Sequence, residues 1–194
     1  MVNEEEELYF RERDAEKREA LRKSMASEAA DLEERRKVAA TTGGDTDVSV
    51  IDRIRALGFN GDSARIFDLM PLVHVAWADG KIQKGERAAI LGLLEARGID
   101  SDSDAFTTMA SMLEQRPDEA FMRETMAALR DVVGSEHERT QSIVDMCIDV
   151  AAASGGLLGL GLGDKVDDEE RQRIGEIAAT LGDVAAAAVK KQFS

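Results

Sequence analysis

Apolar residues recur along this chain at helical spacing, and no segment alternates with period two. Ile90, Leu93, Leu94 and Arg97 share one face of a helix over 83–97, which Gly98 stops. Phe106, Met109, Ala110 and Leu113 form the stripe of a helix over 102–115, and Ile174, Ile177, Ala178 and Leu181 that of a helix over 167–181. Asp47 caps a short helix over 48–57, ended by Gly58. Asn60, Gly61 and Asp62 make a turn before a helix over 63–77, in which Pro71 predicts a kink or a restart. Pro117 suits the first turn of a helix that ends at Gly134. Ser135 and Glu138 have the spacing of a capping box for a helix over 136–153, and Asp183 caps a last Ala-rich helix to about residue 192. The predicted fold class is all-α.

Residues 3–40 carry a different pattern. They contain no Gly or Pro, mix charges of both signs, and read as one charged helix. Glu7/Arg11, Asp14/Arg18, Glu19/Lys23 and Asp31/Arg35 sit four apart with the acid first, the better orientation on a helix. Leu21, Met25 and Leu32 form only a narrow apolar seam. The expected organisation is a helical extension over 1–40, a Gly-containing linker over 41–47 and a helical domain over 48–194.

One stretch returns. Glu86 and Gly98 are 12 residues apart, as are Glu170 and Gly182; between them Arg87 aligns with Arg171 and Ile90 with Ile174. Lys81-Ile82 aligns with Lys165-Val166. Upstream, residues 72–78 align with 147–153 at an offset of 75, whereas the downstream offset is 84. The pattern is a helix–turn–helix unit used twice, with 9 extra residues in the second turn.

The repeated turn has a structural reading and two ligand readings. Gly80 permits a left-handed backbone at a helix end, Ile82 and Val166 point to the core, Asp79 can accept backbone N–H groups, and Asp167 with Glu170 has the spacing of a capping box. Against an EF-hand loop, Gly80, Ile82 and Glu86 fit positions 6, 8 and 12, but Val75 and Trp77 stand at positions 1 and 3, where carboxylates belong. That leaves a degenerate EF-hand-like calcium module as one alternative.

The run Ala76-Trp77-Ala78-Asp79-Gly80-Lys81-Ile82, followed by Glu86, Ile90, Leu94 and Gly98-Ile99, resembles the TerB-like family of tellurite-resistance proteins over roughly residues 48–191. The second copy departs from the family pattern, with Ser154-Gly155 in place of Asp-Gly. The resemblance implies a pseudo-repeated helical bundle and a bacterial, cytoplasmic, non-enzymatic interaction module of the tellurite and stress response. It implies an acidic surface that takes metal ions, with Asp79 and Glu86 as first candidates and Asp164, Asp167 and Glu170 from the second turn. Hard carboxylate oxygens suit Ca²⁺ or Mg²⁺, bound weakly. Separately, residues 5–13 and 19–23 resemble the inhibitory helix of mitochondrial-type ATP synthase inhibitor proteins. That makes a regulatory inhibitor of an enzyme such as an ATPase the alternative function, acting through Tyr9 and Phe10.

Composition narrows the field. A net charge of −14 over 194 residues argues against a nucleic-acid surface, which needs Lys and Arg on phosphates. Cys147 is the single cysteine, so neither a disulfide framework nor a cysteine metal cluster is expected. No apolar run approaches the roughly 20 residues of a membrane span, and no signal-peptide run opens the chain. The glycine-rich stretch 155–163 lacks the Lys-Ser/Thr of a phosphate loop and runs into acids. Its Leu157, Leu158, Leu160 and Leu162 are candidates for docking a protein partner. His74 is expected in the core, His137 in solvent and Trp77 in the core. No nucleophile–base pair has sequence support, and the oligomeric state is not legible.

Overall fold

A computed structural model describes residues 4–43, 46–133, 136–154, 166 and 168–192. The described residues form an all-α bundle with no strand: α1 (Glu4–Thr42), α2 (Val48–Ala56), a 3₁₀ helix (Gly61–Leu69), α3 (Met70–Ala76), α4 (Lys84–Ala96), α5 (Asp104–Glu114), α6 (Glu119–Val133), α7 (His137–Ser154), α8 (Asp168–Leu181) and α9 (Asp183–Gln192). None of these helices is long and apolar enough to cross a membrane. The chain divides into two compact units, Met1–Arg36 and Lys37–Ser194.

In the first unit α1 is held by its own charges. Lys23 pairs with Glu19 at 3.0 Å and Arg35 with Asp31 at 3.3 Å, each across one helical turn. Tyr9, Leu21, Met25 and Leu32 are all more than half exposed. The last turns of α1 belong to the second unit. There Val38 is wholly buried, and the Thr42 carbonyl accepts a 2.7 Å bond from Arg139 on α7. The helix therefore runs through Thr41 and Thr42, which by composition belong to a linker; burial of Val38 and Thr42 outweighs the weak helix propensity of threonine.

The second unit is built around α3, all seven residues of which are buried. It packs on α6, α7 and α8, while α7 also packs on α4 and α9. Pro71 sits in the first turn of α3, so the chain meets it by ending a 3₁₀ helix and starting an α-helix. Ser63 supports that 3₁₀ start by accepting from the Asn60 N–H at 2.9 Å. Asp47 caps α2 as expected, accepting from Ser49 N–H at 2.8 Å. Pro117 differs from expectation: α6 begins at Glu119, and the cap is Asp118, which accepts from Phe121 N–H at 2.7 Å. Pro117 thus precedes the cap instead of entering the first turn. Asp183 likewise lies inside the first turn of α9, where Ala186 N–H reaches back to the Gly182 carbonyl. The capping role of Ser135 falls outside the described residues.

Candidate functional site

The first acidic turn is built from the backbone outward. Gly80 has φ 86°, a left-handed conformation that side-chain-bearing residues rarely adopt, and its N–H bonds to the Trp77 carbonyl at 3.1 Å. Asp79 is exposed, and its Oδ1 accepts from Lys81 N–H at 3.0 Å, closing the turn from the side. Ile82 packs against the core, half-buried. Glu86, in the first turn of α4, curls back so that Oε2 accepts from Gln83 N–H at 2.7 Å. That bond satisfies a backbone donor that the helix leaves open, at the helix end where negative charge is favoured.

Glu86 is only 2% exposed, and so is Glu170 in the first turn of α8. Glu170 lies close enough for its charge and side chain to act on the Glu86 carboxyl. Burial pushes Glu86 up from its ordinary 4.5 to about 8; the charges of Glu170 and Asp79 add to this, and the Gln83 N–H opposes it. Glu86 therefore keeps its proton at neutral pH, with a second buried acid beside it. On the α8 side Val166 is buried, and its carbonyl accepts from Arg171 Nε at 3.1 Å.

Of the acids singled out in the sequence, the structure brings Glu86 and Glu170 into contact and leaves Asp79 exposed beside them. Asp164 and Asp167 lie outside the described residues, as do Leu157, Leu158, Leu160 and Leu162 and the side chain of Phe10. No group of three or more His, Cys, Asp or Glu converges as a metal site among the described residues. Tyr9 is 55% exposed, with the Arg13 guanidinium carbon 5.7 Å from its ring centroid.

The remaining chemical candidates are committed to packing. His74 is buried, and its Nε2 lies 3.1 Å from the Met122 carbonyl. A carbonyl only accepts, so Nε2 carries the proton. Burial, reinforced by the charge of Arg173, lowers His74 to about 4, leaving a neutral imidazole at pH 7. Trp77 donates from Nε1 to the Met112 carbonyl at 2.9 Å. Cys147 is fully buried, which pushes its thiol far up and keeps the thiolate from forming.

Glu86 and Glu170 are candidates from both turns for one weak acidic site, but their approach to one another is not legible from either turn alone. A signal was present: each stands 12 residues before a glycine, so the two occupy equivalent places in the aligned stretches. Comparison with protein-family models, with curated proteins and with solved structures finds no match to this chain.

Proposed function

We propose that this chain is a non-enzymatic, TerB-like interaction module of a bacterial stress or tellurite response, built on a pseudo-repeated helix–turn–helix. In this reading the acidic turns form a weak divalent-cation centre. The observation that carries it is the close approach of Glu86 and Glu170, the two glutamates at equivalent positions of the aligned stretches, both buried. Asp79 stands beside them as an exposed carboxylate through which a cation is admitted. Because cation and proton compete for the same oxygens, affinity rises as pH rises towards and beyond about 8. The test is an amide NMR titration of metal-stripped protein with Ca²⁺ and Mg²⁺ at two pH values, run beside Glu86→Gln. Saturable shifts around residues 79–86 and at Glu170, stronger at the higher pH and lost in the variant, are expected. Shifts that ignore both pH and the substitution sink the cation reading.

A second reading rests on the N-terminal unit. Residues 1–36 form a separate compact unit whose Tyr9, Leu21, Met25 and Leu32 are exposed, the surface a regulatory helix offers to an enzyme such as an ATPase. Deletion separates the two readings. The cut belongs after Arg36, since Val38 and Thr42 are buried in the second unit. Loss of all partner binding on deletion favours the inhibitor; a folded remainder that binds unaided favours the module.

A further inference from the structure

A cleft of about 400 Å³ opens beside α3, lined by α6, α8 and the edge of His74. Its chemistry runs against that of the chain. The molecule carries −14, yet Arg123, Arg130 and Arg173 line this cleft against only two carboxylates, Glu119 and Glu176. Both carboxylates are already neutralised: Glu119 by Arg116 at 2.6 Å and Glu176 by Arg173 at 3.0 Å.

Arg123 and Arg130 keep donors to spare. They stand seven residues apart on α6 with Met126 between them, so helical spacing puts all three on one face. The ion-pair partner of Arg123, Glu124, stands at 3.9 Å, too far for a hydrogen bond. Arg130 spends two N–H groups on Asp131, at 3.0 and 3.1 Å, and Asp131 is also bound by Arg53 at 2.7 Å. One carboxylate thus serves two guanidinium groups, and each guanidinium has five donors. Between the arginines the cleft is apolar, with Met122, Met126 and Ile177 among its lining residues.

We propose that the cleft between α6 and α8 is a binding site for a small organic anion, its apolar body on Met122, Met126 and Ile177 and its oxyanion head held by Arg123 and Arg130. The volume is in the range of small-molecule sites, and apolar lining with a few convergent charges is the make-up of such sites. Phosphate and carboxylate heads share the chemistry that the planar guanidinium forks recognise. The site is independent of the acidic turns: Asp79, Glu86 and Glu170 do not line it.

His74 supplies the readout. It lines the cleft and is neutral at pH 7, and a bound anion favours the imidazolium and moves its titration upward. The experiment is an NMR titration of the intact protein with phenyl phosphate, benzoate and phenol, following the His74 ring and the methionine methyls. His137, exposed on α7, is the internal control. Saturable shifts at His74, Met122 and Met126 with at least one anion are expected, with His137 unmoved; the tighter of the two anions identifies the head group. Phenol, which lacks the charge, is expected to bind more weakly. Arg123→Gln with Arg130→Gln, both at exposed side chains, should weaken binding at least about tenfold through loss of charge-assisted hydrogen bonds. The proposal is overturned if neither anion gives a saturable shift at millimolar concentration, if phenol binds as tightly as the anions, or if the double variant binds as tightly as wild type.

Discussion

Asp62 and Glu86 each accept one backbone N–H and titrate in opposite directions. Each accepts a backbone N–H at a helix start: Asp62 from Ala105 at 3.0 Å, Glu86 from Gln83 at 2.7 Å. Asp62 keeps about a third of its side chain in solvent and has Arg65 at 3.0 Å. The Ala105 N–H, with help from Arg65, holds its carboxyl below the ordinary 3.8. Glu86 is buried against a second acid, and burial lifts it to about 8. A cap therefore does not fix the charge of the residue that makes it. The surroundings that tertiary packing supplies decide whether the accepting carboxyl is an anion or keeps its proton.

The strongest way to break this comparison is to remove the Glu86 side chain. Glu86→Ala leaves the Gln83 N–H without its acceptor and removes a wholly packed side chain. It should cost about 1–3 kcal/mol, the size of a lost acceptor at a part-buried donor, read as a fall in the urea midpoint. A loss no larger than that of an ordinary exposed cap contradicts a buried pair.

Acid and base sharpen it further. The folded-state value of Glu86 lies above the unfolded one, so its stabilising contribution is fully present below 4.5 and is lost as pH rises through about 8. Wild-type stability should fall across that window by on the order of a few kcal/mol. Glu86→Gln keeps an oxygen for the Gln83 N–H and donors for Glu170 but has no proton to lose, so its profile should be flatter and should overtake wild type at the alkaline end. Parallel urea melts of the two proteins across this range check it; superimposable profiles mean that Glu86 does not titrate in the window.

Asp62 gives the smallest effect and the opposite sign. Its contribution is present above 3.8 and disappears as pH falls through its depressed folded value. Asp62→Ala should cost about 1 kcal/mol at neutral pH, the usual size of such a cap, and nothing in strong acid. A penalty that persists in acid would show that the side chain acts through packing rather than charge.

Much of the fold was legible because it rests on short-range chemistry. The Ile90/Leu94 stripe, the Asp47 cap and the turn at Gly80 are each set by neighbours within a few residues, and the helices form where these signals stand. Pro117 alone does not fix the start of α6, because proline is as compatible with the residue before a cap as with the first turn; Asp118 decides between them, and the helix begins two residues after the proline. The candidate site was legible only in its parts. Glu86 and Glu170 were named as acids and caps, while their contact joins positions 84 residues apart.

The sequence by itself determined an all-helical fold class and a charged N-terminal helix with ion pairs four residues apart, because helical periodicity and local charge spacing are written in adjacent residues. Only the tertiary structure decided that the end of α1, with Val38 buried, belongs to the second unit, that Glu86 and Glu170 approach one another, and that arginines of α6 and α8 line one cleft in an acidic protein. The physical reason is that burial and the long-range approach of charges belong to packing, and these set protonation and binding far more strongly than residue type alone.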